Sequence, residues 1–513
     1  MKRTLLALSL VLAGLAPLSH ADVADGHALP PGISWQQGDV PAAFAKARSE
    51  NKPVFLYWGA VWCPPCNQVK STIFNRPDFI AATRQFVPVY LDGDSANAQQ
   101  LGEQFKVRGY PTMILFRPDG TEITRLPGEV DPERYLRTLQ LGLVTVKPVK
   151  ALLADALAGK PLAAEDWQLL ADYAWDVDQG QIIPEKDVTA TLAQLAQRVP
   201  AAQTATATRL RLKALAALAG EKEPPPFDHE DARAQLLQVL ADGKLSRANA
   251  DIVIYAASDV IKLLGDDAAG KQALQQAWGR QLAALEADAT LSWGDRLGAT
   301  SALLSQFKQQ HPKQPLPASL LADVRSQVAA ADKASANPYQ RQAVITAAGE
   351  LLADAGLLDE SDKLLQAELK TSHAPYYHML ILASNAKERG DKAAALAWYE
   401  KAYQASEGQA TRLQWGASYV SNAVELAPQD ADRIEKAASE VFSDAGRSSS
   451  AFYERSRRSL EKIASRLKAW NQDQKHADEI GRLAGQLNGV CEKLPAGDAQ
   501  KPVCDGLVKN LKS

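Results

Sequence analysis

Pro53-Val54-Phe55-Leu56-Tyr57-Trp58 is an unbroken apolar run, and shortly after it stands Trp62-Cys63-Pro64-Pro65-Cys66. A strand with one wet face alternates apolar and polar residues. A run without alternation belongs to a strand covered on both faces, as in a mostly parallel sheet held between helices. The motif that follows can open one of those helices. Proline is tolerated in a first helical turn, where its missing N–H would have no intrahelical partner in any case. A helix is therefore predicted to start at or just after Cys63 and to run to about Phe74.

The neighbouring sequence supplies the rest of an α/β domain. Asp39 is a predicted N-cap for a helix over Val40–Ser49, with Pro41 in its first turn. Phe86–Leu91 reads as a second buried strand ending at Asp92, and Asn97–Phe105 as a short helix. Thr112–Phe116 and Thr121–Leu126 flank Arg117-Pro118-Asp119-Gly120, a turn-forming set, and read as a hairpin. Asp131–Leu141 closes the unit as a helix. The order is βαβ followed by ββα, and the domain is expected to occupy residues 22–146.

Beyond Val146 the composition changes: Ala and Leu dominate, and β-branched runs nearly vanish. Glu221–Phe227 holds three consecutive prolines and cannot continue a helix, and Gln309–Pro317 is a second break. The segments between read as amphipathic helices. Gly356 and Gly390 lie 34 residues apart, and around them Gly349 aligns with Ala383, Ser361 with Ala395 and Leu365 with Tyr399. Small residues at such places let paired helices approach closely, while the large ones fill the space between pairs. The pattern resembles tetratricopeptide repeats, best over Leu382–Ala402, although Glu407 stands where that family's loop proline is expected. The expected division is an α-helical region over 147–330, tetratricopeptide-like repeats over 331–480 and a helical hairpin over 481–513. Cys491 and Cys504 are predicted to clamp that hairpin with a structural disulfide. Closing a loop of about 15 residues contributes about 3 kcal/mol by the chain-entropy argument.

The chemistry is expected at the first cysteine pair. A helix N-terminus offers unpaired N–H groups and partial positive charge, which stabilise a thiolate. Cys-x-x-Cys placement of this kind lowers the first thiol's pKa from about 8.5 to about 3.5–7.5. Cys63, nearer the helix end, is the predicted nucleophile, and Cys66, one turn deeper, resolves the mixed disulfide. Pro64 and Pro65 remove two N–H donors and no His lies between the cysteines, so a pair on the reducing side is expected. A metal would need further ligands, and no second Cys-x-x-Cys or paired His lies nearby. His373 and His378 are read as residues of a loop joining two repeats, and Asp92-Gly93-Asp94 as a solvated loop. No metal and no cofactor are expected.

Over roughly Ile33–Gly142 the chain resembles the thioredoxin family. Trp62 before the first Cys, Pro65 before the second, and Gly109-Tyr110-Pro111-Thr112 before the hairpin carry the likeness. The resemblance implies an α/β thioredoxin fold and dithiol–disulfide exchange with protein or peptide substrates. It also implies a cis bond at Pro111 against the cysteine pair, a Tyr110 backbone free to pair with a substrate strand, and Trp62 shielding the site. One position departs from the family: Tyr57 replaces its buried Asp, and Pro88 stands where the accompanying Lys is expected. Proton transfer to Cys66 then falls to a water or to Tyr57. The Cys-Pro-Pro-Cys motif is similar to that of tryparedoxins and nucleoredoxins, which are reductants. Cys63–Phe74 and Phe86–Asp92 look closer to periplasmic thioredoxin-like domains, whose likeness implies a membrane-borne electron donor.

Lys2, Arg3, an apolar run from Leu5 to about Leu18 and Ser19-His20-Ala21 make residues 1–21 a predicted signal peptide. The even cysteine count fits the oxidising compartment that export implies, periplasmic in a bacterium and otherwise secreted. Formal charge is −3 and falls to −5 once Lys2 and Arg3 are removed, so no nucleic-acid partner is expected. The expected architecture is an α/β thioredoxin fold followed by an all-α helical-repeat region. The expected function is a reductase of protein or peptide disulfides, with a peptide or protein partner on the helical repeats, which build concave surfaces. Two alternatives stand beside it: an oxidase or isomerase in secreted-protein folding, and a helical-repeat scaffold or chaperone with a docking domain.

Overall fold

The computed structural model describes residues 29–128 and 131–512; the expected signal peptide lies outside them. Five strands form one sheet in the order β1 (Gln36–Gln37), β3 (Val87–Asp92), β2 (Val54–Gly59), β4 (Thr112–Phe116), β5 (Glu122–Leu126). The pairs β1–β3 and β3–β2 are parallel, and β2–β4 and β4–β5 are antiparallel. Every residue of β2 is buried, as its unbroken apolar run requires. Side chains alternate across a strand, so Phe55 and Tyr57 join one core with Phe74, Phe79 and Tyr135. Val54, Leu56 and Trp58 join another on the opposite face with Leu91 and Ile114.

Five helices surround the sheet: α1 (Val40–Glu50), α2 (Pro64–Val69), α3 (Pro77–Ala82), α4 (Ala96–Phe105) and α5 (Pro132–Val144). The capping chemistry follows the sequence. The Ala42 N–H donates to Asp39 Oδ1 at 2.9 Å, and the Ala98 N–H donates to Ser95 Oγ at 3.2 Å. Gly120 turns the β4–β5 hairpin at φ +90°, a conformation that costs glycine nothing. Three features were not expected. The short strand β1 borders the sheet, α3 follows Pro77 at a helix start, and α2 passes at Lys70 into a π-turn that ends at Phe74.

From Val149 to Lys512 the regular elements are all helical among the described residues. The proline-rich segment 221–227 separates helices Thr204–Ala219 and His229–Ala241, and 311–317 separates Trp293–Gln310 from Ala318–Ala334. Gly356 and Gly390 sit in the turns of the helix pairs Pro338–Asp354/Leu358–Glu368 and Pro375–Glu388/Lys392–Ala405, at φ +74° and +79°. A Cβ at Gly349 would come within 2.7 Å of Leu365 Cδ2, so the first pair depends on that small residue. Helices after 374 share one core with Cys491 and Cys504, which are disulfide-bonded with Cα atoms 5.5 Å apart. Trp62 of the sheet domain packs on that same core. The molecule is thus an α/β sheet domain followed by an all-helical region that folds back over it.

Candidate active site

Cys63 is the N-cap of α2, in extended backbone conformation, with Pro64 and Pro65 in the first turn. The Cys66 N–H donates to Cys63 Sγ at 3.2 Å, one of the donors that a helix start leaves open. The two cysteines are disulfide-bonded, with Cα atoms 5.2 Å apart. Asn67 secures the turn from below: its Nδ2 donates to the carbonyls of Val61 and Cys63 at 2.8 and 2.9 Å. The Tyr110–Pro111 peptide is cis, and the Tyr110 carbonyl oxygen lies 3.4 Å from Cys63 Sγ. Strand β2, the start of α2 and the loop before β4 therefore bring Trp62, Cys63, Pro65, Cys66, Tyr110 and Pro111 to one place. Chemically, this is a sulfur pair at a helix N-terminus beside an open backbone carbonyl.

The family model for a thioredoxin-like domain matches residues 40–142. The sheet unit is a thioredoxin-like domain. A thiol:disulfide interchange protein DsbD of Pseudomonas fluorescens is 32% identical over 103 residues, 19% of this chain and 18% of that protein. A DsbD 2 of Pseudomonas aeruginosa is also 32% identical, over 105 residues, 20% of this chain and 18% of its own length. A bifunctional thioredoxin reductase/thioredoxin of Mycobacterium leprae is 34% identical over 98 residues, 19% of this chain and 20% of that protein. The chain thus spans about a fifth of the length of these curated relatives.

Beneath the cysteines the domain buries polar groups that the sequence reading only partly foresaw. Tyr57 is fully buried, its hydroxyl has no hydrogen-bond partner, and burial followed by the nearby Asp92 raises the phenol well above its ordinary range. Pro88 pairs with Phe55 within the sheet and holds no charge there. The buried lysine is instead Lys70, one helical turn beyond Cys66, fully enclosed and without a hydrogen-bond partner. Its ammonium lies 5.1 Å from the Tyr339 ring centroid and 5.9 Å from that of Tyr90. Burial pushes it down to about 8, with Asp92 opposing. Its spacing was the available signal: position 70 follows Cys66 by four and Asn67 by three, so it falls on the helix face those residues bury.

The helical region meets the thioredoxin-like domain at the site itself. Trp62 Nε1 donates to Thr411 Oγ1 at 2.8 Å, and its ring stacks on Tyr377 and meets the Trp415 ring edge-on. The reading of Asp92-Gly93-Asp94 as a solvated loop is corrected. Asp94 accepts hydrogen bonds from the Thr411 N–H at 2.6 Å and Oγ1 at 2.7 Å, and pairs with Arg455 at 3.0 Å. Gly93 is needed there because a Cβ would come within 2.5 Å of the Tyr110 ring. The histidine reading changes too. His373 does lie in a loop, with Nε2 3.0 Å from the Val61 carbonyl oxygen, but His378 is inside helix Pro375–Glu388 and fully buried. Burial, then His373, pushes His378 down to about 4. No group of three potential metal ligands occurs among the described residues.

Proposed function

We propose that this chain is an exported thiol–disulfide oxidoreductase that reduces protein or peptide disulfides outside the cytoplasm. In the reduced state the Cys63 thiolate attacks one sulfur of a substrate disulfide and expels the other as a thiolate, which takes up a proton. The Cys66 thiolate then attacks Cys63 Sγ in the mixed disulfide and releases the second substrate thiolate. The products are the Cys63–Cys66 disulfide and a substrate reduced by two electrons and two protons. A dithiol donor must restore the pair, and the likeness to thiol:disulfide interchange proteins supports a donor that itself exchanges disulfides. A membrane-borne donor is the one that the resemblance to periplasmic thioredoxin-like domains implies. No helix among the described residues is long and apolar enough to cross a membrane. Trp62, Pro65, Tyr110 and Pro111 hold the substrate segment beside the sulfur, and the helical region selects the partner.

The observation that carries this reading is the Cys66 N–H directed at Cys63 Sγ beside the Tyr110 carbonyl. The reducing direction rests on the prolines, which leave no N–H donor on the two residues between the sulfurs. Equilibration with glutathione followed by alkylation tests both points. A potential in the reductase range is expected; a value near about −120 mV, that of a strong oxidant, would reverse the direction. Cys66→Ser should accumulate mixed disulfides through Cys63, and Cys63→Ser should abolish exchange. A pair that glutathione cannot exchange would leave the scaffold alternative standing.

A further inference from the structure

The aromatic residues flanking Cys63 do not face open solvent. Trp62 stacks on Tyr377 with ring centroids 5.9 Å apart, and the Arg455 guanidinium lies 5.3 Å from the ring centroids of both Trp62 and Tyr110. Cys63 itself is 2% exposed. A folded protein cannot lay a strand along Tyr110 without displacing the helices that carry Thr411 and Arg455, and both are tied to Asp94.

Beside the motif a cleft of about 310 Å³ stays open. Pro64 and Pro65, the residues between the two sulfurs, form one wall, and Tyr377, stacked on Trp62, lines it too. Gly298 and Ala347, from helices Trp293–Gln310 and Pro338–Asp354, add small residues to the lining. Tyr255, among the most exposed large apolar side chains of the described residues at 51%, is also part of it. Glu350 and Asp354 are the acidic residues of this lining, and no basic side chain belongs to it among the described residues. Burial and then Asp354 raise Glu350 to about 7, so a cation placed beside the pair favours its ionised form. The volume sits at the low end for ligand sites, about 300–1,000 Å³, and suits a few residues of extended chain rather than a domain.

We propose that this cleft is the approach to Cys63, and that its substrate is a short, extended cysteine-bearing segment with Lys or Arg beside the cysteine. This inference rests on the oxidoreductase reading and names its substrate class. The helical region thereby acts as a size and charge filter over a thioredoxin-like centre. The cation answers Glu350 and Asp354, and the absence of bulk at Gly298 and Ala347 admits the backbone.

The test uses the reduced, intact mature chain as stoichiometric reductant. The probes are short disulfide-linked peptides that differ only in Lys, Gln or Glu beside the cysteine, with insulin as the folded substrate. The Lys peptide should react about fivefold faster than the Glu peptide, the size of one partly exposed charge contact, and insulin more slowly than either. Glu350→Gln should shrink the Lys preference, and Ala347→Phe should slow all three peptides by filling the cleft. Equal peptide rates, or insulin reduced as fast as the peptides, would overturn the proposal. Glutathione equilibration of the unaltered chain separates the failures: if the pair exchanges but does not discriminate, this inference falls and the oxidoreductase reading survives.

Discussion

The seam between the two regions and the floor of the active site treat buried polar groups in opposite ways. Where the helical region packs on α5, Arg134 and Arg209 are enclosed but share Asp172, at 2.7 and 2.6 Å, and Arg209 also holds Asp251 at 2.8 Å. In the thioredoxin-like domain the Lys70 amine and the Tyr57 hydroxyl are equally enclosed and have no hydrogen-bond partner. A buried charge without a partner costs stability, and folds keep such groups where chemistry needs a titratable one. The paired charges hold helices together; the unpaired ones lie beneath a redox-active sulfur pair.

Removing the shared carboxylate is the most disruptive way to break this contrast. Asp172→Ala strands the Arg134 guanidinium and leaves Arg209 with Asp251 as its remaining carboxylate. It should cost about 3–5 kcal/mol, read from urea unfolding of the intact chain. A loss below about 1 kcal/mol would mean that the charges are hydrated and that the seam and the floor of the site do not differ.

Lys70→Met tests the other half and should act in the opposite sense. A lysine lowered from 10.5 to about 8 destabilises the fold by up to about 3 kcal/mol at neutral pH. Its folded pKa lies below its unfolded one, so the unfolded chain binds more protons between about pH 8 and 10.5, and stability rises with pH through that window. Met at this position should stabilise the oxidised protein at pH 7 and flatten the rise. A lower melting temperature with an unchanged pH profile would show that Lys70 and Asp92 form a stabilising pair.

The legible parts of the molecule were those encoded locally. Strand β2 was visible in an unbroken apolar run, the start of α2 in two prolines after a cysteine, and the hairpin in Pro118-Asp119-Gly120, each within a few residues. Lys70 was missed because a charged side chain reads as solvent-facing unless its helix face is traced from Cys66. Asp94 was misread for a different reason: its partners Thr411 and Arg455 lie more than 300 positions away. The helix that starts at Pro77 went without an expectation, because proline ends one helix and begins another with equal ease. The covering of the active site is likewise a product of distant segments and has no local signature.

Asp94 is where the two regions are joined, and it offers the smallest and most specific perturbation. It is 11% exposed and accepts from a backbone N–H, a hydroxyl and a guanidinium of the helical region. Asp94→Asn keeps the shape and removes the charge, so the loss should be about 1–2 kcal/mol, within the range for hydrogen bonds to charged groups. The informative measurement is local. With Arg455 no longer neutralised, the helices that carry it and Thr411 loosen over Trp62. Alkylation of Cys63 in the reduced protein should then accelerate, and Trp62 emission should shift toward that of a hydrated indole. Trp62 has a hydroxyl partner only while Thr411 stays in place, so both signals should move together. Unchanged alkylation in a folded Asp94→Asn chain would mean that the contact with the helical region does not limit access to the sulfur.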